Sequence, residues 1–251
     1  MPVRRRIVGV SLKMYMGLER TQHWLHAVAD MAASGLPADV DLFVIPSFLS
    51  LSDARTIFAG SRVAVGAQDV FWEDAGAYTG EISAPMLAEA GCRFVEIGHA
   101  ERRRIFGETE DMISRKIDAA VRSGLVPVLC IGEAAKAAPE DVVLDCMAQF
   151  ATATAGIEKT ATVVFAWEPI WAIGAAEPAS ADYIAAVARG LREALASWPN
   201  MRLIYGGSAG PGLLDQIGDA VDGLFLGRFA HDTDALRRVL AEASNSTATS
   251  A

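Results

Sequence analysis

Short runs of apolar, β-branched and aromatic residues recur along the chain at 7–12, 40–45, 62–67, 94–97, 126–131, 162–167, 202–205 and 223–226. Within each run the apolar character is nearly continuous rather than alternating, which is the pattern of strands covered on both faces. Between them lie Ala-rich stretches compatible with helix, at 18–33, 51–59, 84–89, 109–123, 141–154, 181–197, 213–217 and 234–243. Ser180 is a weak helix cap, yet the Ser180-Ala181-Asp182 string after Pro178 reads as a helix start. Strand and helix in strict alternation read as βα units on a parallel sheet. Eight such units close on themselves more naturally than they extend as an open sheet, so the pattern predicts an α/β fold, a single (β/α)8 barrel over 1–244. The small, polar tail 245–251 has nothing to bury and is expected to fray.

A parallel barrel directs the carboxyl ends of all its strands to one face, so residues just past each strand converge there. Those residues are Lys13 after the first run, His99 and Glu101 after the fourth, Glu133 after the fifth and Glu168 after the sixth, then Gly206-Gly207-Ser208 and Gly227-Arg228 after the last two. Glu168 ends an apolar run and precedes Pro169, which keeps it extended at the strand tip. Trp171 and Ile173 follow in a loop closed by Gly174, and large apolar residues in a loop need a cover or form a movable lid. The two glycine turns each precede a segment read as helix, and free backbone N–H groups at a helix start suit a phosphate. Taken singly, each feature has a plainer reading: Lys13 as a snorkelling surface lysine, His99 as a loop cap, Gly-Gly as a tight turn, Glu168 as a salt-bridged strand end. Their convergence favours a site. His99 opens the run Ala100-Glu101-Arg102-Arg103-Arg104, which starts a short helix whose dipole holds the imidazole neutral. Glu101 and the arginines read as ion pairs around the site rather than reacting groups.

Composition narrows the chemistry further. A chain of 251 residues, 52% hydrophobic, can build one substantial core. A formal net charge of -9 argues against a nucleic-acid surface, so a small anion must be met by locally focused positive charge. Three widely spaced cysteines, Cys92, Cys130 and Cys146, suggest neither a disulfide framework nor a zinc site and read as buried thiols. Arg4-Arg5-Arg6 before a short apolar run slightly resembles a signal peptide, but the run is too short and meets Lys13, and no stretch is long enough to span a membrane. The expectation is a cytoplasmic protein. Four scattered histidines point to no metal, and no organic cofactor is expected.

Five strings then resemble the triosephosphate isomerase family: Glu96-Ile97-Gly98-His99-Ala100-Glu101-Arg102-Arg103, Cys130-Ile131-Gly132-Glu133, Glu168-Pro169-Ile170-Trp171-Ala172-Ile173-Gly174, Tyr205-Gly206-Gly207-Ser208 and Val221-Asp222-Gly223. Their order and spacing run the length of the chain. The resemblance implies a TIM barrel and an intramolecular aldose-ketose isomerase working through an enediolate. Glu168 would be the base, neutral His99 the electrophile and proton shuttle, and Lys13 the source of positive charge. Backbone N–H groups of Gly174, Ser208, Gly227 and Arg228 would hold the phosphate, with Ser11 also at the substrate. The segment 170–176 would close as a lid, with Glu133 receiving the Trp171 indole in one lid state, and Glu101, Ile173 and Phe225 would support the site. The loop Gly76-Ala77-Tyr78-Thr79-Gly80-Glu81 resembles the family's partner-inserting loop, so a homodimer is implied, with Thr79 at its contact.

Several residues depart from the family pattern. Ser11 stands for an asparagine, Ala100 for a serine and Asp69 for an asparagine, the last placing an extra carboxylate near Ser11. Glu177-Pro178 replaces a lysine-containing hinge, Phe225 a leucine above the base, and Arg228 a glycine of the last phosphate loop. Gly223-Leu224-Phe225-Leu226-Gly227-Arg228 and Pro178-Ala179-Ser180-Ala181-Asp182-Tyr183 resemble the branch that isomerises four-carbon tetrulose phosphates in erythritol breakdown. The leading expectation is interconversion of dihydroxyacetone phosphate and D-glyceraldehyde 3-phosphate, in glycolysis and gluconeogenesis. The second is isomerisation of L-erythrulose 1-phosphate and D-erythrulose 4-phosphate. A non-catalytic phosphosugar-binding barrel is the alternative from another class.

Overall fold

The structure, a computed structural model, describes residues 5–174 and 179–248. Eight strands form a closed parallel barrel in sequential order: β1 (Arg6–Ser11), β2 (Val40–Ile45), β3 (Val63–Ala67), β4 (Phe94–Ile97), β5 (Val126–Ile131), β6 (Val163–Trp167), β7 (Met201–Tyr205) and β8 (Gly223–Leu226), with β8 paired to β1. Helices α1 (Leu18–Gly35), α2 (Leu51–Ile57), α3 (Ala84–Glu89), α4 (Ala100–Phe106), α5 (Glu110–Arg122), α6 (Pro139–Ala153), α7 (Ala181–Ala194), α8 (Leu213–Ile217) and α9 (Thr233–Ala248) alternate with them. The (β/α)8 architecture read from the hydrophobic pattern is therefore present, with ends moved by a few residues. The last helix runs past the expected 234–243, and 249–251 lie outside the described residues. Ser180 precedes α7 without a side-chain capping bond, whereas Thr109 accepts from Met112 N–H and caps α5.

The continuous apolar runs have a direct reason. Alternate residues of each strand face either the barrel interior or the helix layer, and both sides are dry. Ile7, Phe43, Ile45, Phe94, Val128, Cys130, Val164, Ala166, Ile204 and Phe225 fill the interior, while Val8, Val44, Val95, Leu129, Phe165 and Trp167 pack outward. Phe43 stacks on Phe94 at 4.4 Å and on Phe225 at 6.0 Å between ring centres. Gly9 makes room for this stack, because a Cβ there would stand 2.2 Å from Phe43 Cζ. Burial on both faces makes any polar residue at an inward position costly, so such residues call for an explanation. Near the carboxyl ends, three inward positions are polar: Ser11 on β1, Glu96 on β4 and Glu168 just past β6. Among the described residues no helix is long and apolar enough to cross a membrane.

Candidate active site

Backbone pairing places the candidate groups. Glu168 N–H donates to Ile131 O at 2.8 Å and Gly206 N–H donates to Trp167 O at 2.9 Å, so the base candidate is held between the ends of β5 and β7. Gly206 permits this closeness, since a Cβ there would lie 2.7 Å from Glu168 Cγ. Lys13 adopts a left-handed backbone (φ 48°) that an L-residue reaches only under strain, and Gln68 Nε2 donates to its carbonyl at 2.9 Å. His99 caps α4: its Nδ1 accepts from Glu101 N–H at 3.1 Å. In a neutral imidazole the other nitrogen then carries the proton. That Nε2 lies 3.2 Å from Lys13 Nζ and 3.4 Å from Glu168 Oε2.

These groups border a cleft of ≈ 480 Å³ at the carboxyl end of the barrel, within the range of small-molecule sites. Of the residues singled out from sequence, Ser11, Lys13, His99, Glu101, Glu168, Ile173, Gly174, Ser208, Phe225, Gly227 and Arg228 all line it. Glu133, Trp171 and Thr79 do not. Glu133 sits behind the lid, accepting from Trp171 Nε1 at 2.8 Å and Trp167 Nε1 at 3.0 Å. The Trp171 contact is the one implied for a lid state. Thr79 is exposed on the loop after β3.

Burial sets the protonation pattern. It is the largest cause of the rise in the Glu168 pKa to about 8, which the Glu96 charge adds to and Lys13 opposes. Its Oε2 is buried and accepts no hydrogen bond from the described residues, as suits a strong base facing a cleft. Burial likewise lowers the His99 pKa to about 4, assisted by Lys13, so the imidazole is neutral at physiological pH. The sequence ties that neutrality to the helix dipole; the structure adds burial and the Lys13 charge, both acting in the same direction. Burial also works against the Lys13 ammonium, but its hydrogen bond to Glu101 (2.8 Å) and the charges of Glu168, Glu101 and Glu96 outweigh this and raise its pKa. The site is thus a high-pKa carboxyl group, a neutral imidazole with its N–H inward, and a fixed cation. Such a set can move a proton between adjacent carbons next to a carbonyl and hold the developing oxyanion.

The rim of the site differs from expectation in two ways. No long helix begins at either glycine turn: after Gly227 comes a single 3-10 turn, Arg228–His231, and α8 begins only at Leu213, well past Ser208. Backbone N–H groups on this rim therefore come from tight turns, with left-handed backbones at Ser208 (φ 42°) and Gly174 (φ 72°), a geometry that suits an anion. Ser208 Oγ donates to Ala172 O at 2.8 Å, tying the lid segment to the loop after β7. The second is the set of partners around Asp69, the carboxylate expected near Ser11. It is paired with Lys116 at 2.6 Å and Arg102 at 2.8 Å, in a network that includes Glu108. Residues 175–178, the end of the expected lid and its hinge Glu177-Pro178, lie outside the described residues.

The carboxylate bonded to Ser11 is Glu96, whose Oε2 accepts from Ser11 Oγ at 2.8 Å. In the sequence Glu96 is one residue of the string Glu96-Ile97-Gly98-His99, with no role of its own. One signal was available, a lone charge between Val95 and Ile97 in an apolar strand. Burial lifts its pKa to about 7, against the Ser11 hydrogen bond and the Lys13 charge. Tyr15 and Phe229 also line the cleft and were not singled out. Cys130 is a packed interior thiol, as expected.

Comparison with known proteins agrees with this geometry. The family profile described as "Triosephosphate isomerase" matches residues 6–243. The chain is 49% identical to an L-erythrulose-1-phosphate isomerase of Pectobacterium atrosepticum, over 97% of each chain. It is 40% identical to one of Rhizobium etli, covering 94% of this chain and 92% of that one. It is 36% identical to a triosephosphate isomerase of Thermoanaerobacter pseudethanolicus, covering 90% of this chain and 94% of the relative.

Proposed function

This chain belongs to the triosephosphate isomerase family and is an isomerase, and on that premise we propose that its substrate is a four-carbon ketose phosphate, interconverted between L-erythrulose 1-phosphate and D-erythrulose 4-phosphate. The observation that carries the substrate is the name shared by the relatives at 49% and 40% identity over nearly the full chain, against 36% for the triosephosphate isomerase. It reverses the order expected from sequence, where the three-carbon substrate stood first and the four-carbon one second.

The chemistry is common to both substrates. Glu168 takes the proton from the hydroxyl-bearing carbon next to the carbonyl, and the electron pair forms an enediolate. Protonation of the former carbonyl carbon by the same carboxyl group completes the transfer. His99 Nε2–H donates to the carbonyl oxygen and shuttles a proton between the two enediol oxygens, and Lys13 balances the negative charge. With the four-carbon substrate the carbonyl moves from the second to the third carbon, so ketose becomes ketose. Backbone N–H groups of Gly174, Ser208, Gly227 and Arg228 hold the phosphate at the rim. The lid keeps water out, which disfavours loss of phosphate from the intermediate.

We place the enzyme in the cytoplasm as a homodimer, with the exposed loop around Thr79 at the subunit contact, and sedimentation of the purified protein tests the assembly. The kcat/KM for L-erythrulose 1-phosphate against that for dihydroxyacetone phosphate tests the substrate. A preference of more than about a hundredfold for the four-carbon sugar, roughly 2.7 kcal/mol, is expected. A preference for the triose returns the first-ranked expectation, and no turnover of either leaves a phosphosugar-binding barrel.

A further inference from the structure

The cleft has a direction. Its phosphate end is at the rim, where Gly174, Ser208, Gly227 and Arg228 come from loops after β6, β7 and β8. The reacting carbons must lie within reach of both His99 Nε2 and Glu168 Oε2, which stand 3.4 Å from each other at the cleft. A chain molecule anchored at the rim and reacting there points its far end down the barrel axis. Ser11, the last residue of β1, lines the cleft while nearly fully buried, and its hydroxyl donates across the interior to Glu96 on β4.

A triose phosphate ends at the carbon that gives up the proton. A tetrulose phosphate continues past it by one hydroxymethyl group, which must find a hydrogen-bond partner in a largely apolar interior. Phe225, from the neighbouring strand, offers only apolar surface. Ser11 Oγ gives its own proton to Glu96, so at the cleft this hydroxyl is left to act as an acceptor. Glu96 does not line the cleft and can influence the far end of a substrate only through Ser11. A buried carboxylate beside the Phe43, Phe94 and Phe225 stack is costly to keep if its role is packing alone.

We propose that Ser11 and Glu96 form the subsite for the terminal hydroxymethyl group of a four-carbon substrate, Ser11 Oγ accepting from its hydroxyl and Glu96 holding Ser11 in the accepting orientation. Ser11 is then a specificity residue and Glu96 a positioning residue. The inference rests on the substrate assigned above and deepens it.

The test compares kcat/KM for L-erythrulose 1-phosphate and dihydroxyacetone phosphate in the wild type, Ser11→Ala, Glu96→Leu and the double variant. Ser11→Ala should lower the four-carbon to triose ratio of kcat/KM about tenfold, mainly by raising the four-carbon KM, because a hydrogen bond made equally in ground and transition states changes binding. Glu96→Leu should lower the four-carbon to triose ratio by about threefold to tenfold in the wild type and not at all in the Ser11→Ala background. Equal losses on both substrates, or an unchanged ratio in Ser11→Ala, overturn the subsite. An effect of Glu96→Leu that persists without the Ser11 hydroxyl overturns the positioning role. A wild type that prefers the triose instead defeats the substrate assignment, which the untouched enzyme alone reveals.

Discussion

Replacing Lys13 by methionine keeps most of the side chain's length and removes the ammonium with its charge and its hydrogen bond to Glu101, so it tests what the cation does. Its ammonium lies 2.8 Å from Glu101 and 3.2 Å from His99, and so stands where the enediolate oxygens would form. A cation and an oxyanion about 4 Å apart at an effective dielectric near 20 attract by about 4 kcal/mol, a factor of roughly 10³ in rate. The Lys13 side chain is 20% exposed, so solvent screens part of that field and the loss should fall between about 10² and 10³. Its second effect is on pH. Glu168 must be ionised to act, so activity falls as pH drops through its pKa. Lys13 is the cation that holds the value down to about 8 against burial and Glu96, so its loss moves the acidic limb to higher pH. Steady-state kinetics of the variant over pH 5–10 would show both effects. A loss under tenfold with an unmoved acidic limb would refute Lys13 as the charge partner of the reaction.

Two further outcomes follow from the same electrostatics and packing. Glu96 has a folded pKa near 7 against an ordinary value of 4.5, so folding favours its protonated form and stability is lost as pH rises through that interval. Glu96→Gln should accordingly raise the melting temperature at pH 8.5 by an amount worth a few kcal/mol and have little effect at pH 4.5, and an equal change at both values would contradict a buried, titrating carboxyl group. Gly206→Ala would place a Cβ 2.7 Å from the Glu168 side chain, pushing the proposed base aside. It should cut kcat more than tenfold while circular dichroism shows an intact fold, since misplacing a reacting group by about 1 Å costs about 10²-fold.

How much was legible in the chain differs by level. The barrel was, because strands buried on both faces leave continuous apolar runs and each run is followed by a helix-compatible segment. Lys13, His99 and Glu168 were legible for the same reason: once eight parallel strands are counted, residues past their ends share a face whatever the details of packing. The turns after β7 and β8 were read as helix starts because glycine before an apolar segment looks the same whether a long helix or one 3-10 turn follows. The partners of Asp69 were not legible because sequence order does not reveal which cation a carboxylate meets, and Lys116 reaches it from α5.

Glu96 marks the boundary most clearly. From the sequence alone it is a single charge in the strand Phe94–Ile97, without direction or partner. Whether it faces the helices or the interior depends on strand register, since a shift of one residue reverses every side chain. Its bond to Ser11 spans 85 positions of the chain, from β1 to β4 across the closed barrel. Hydrophobic periodicity and strand-end chemistry are local and were therefore written in the sequence. The burial that shifts His99 and Glu168 in opposite directions and the pairing of Ser11 with Glu96 arise from contacts between distant segments, which only the tertiary structure brings within a few ångströms of one another.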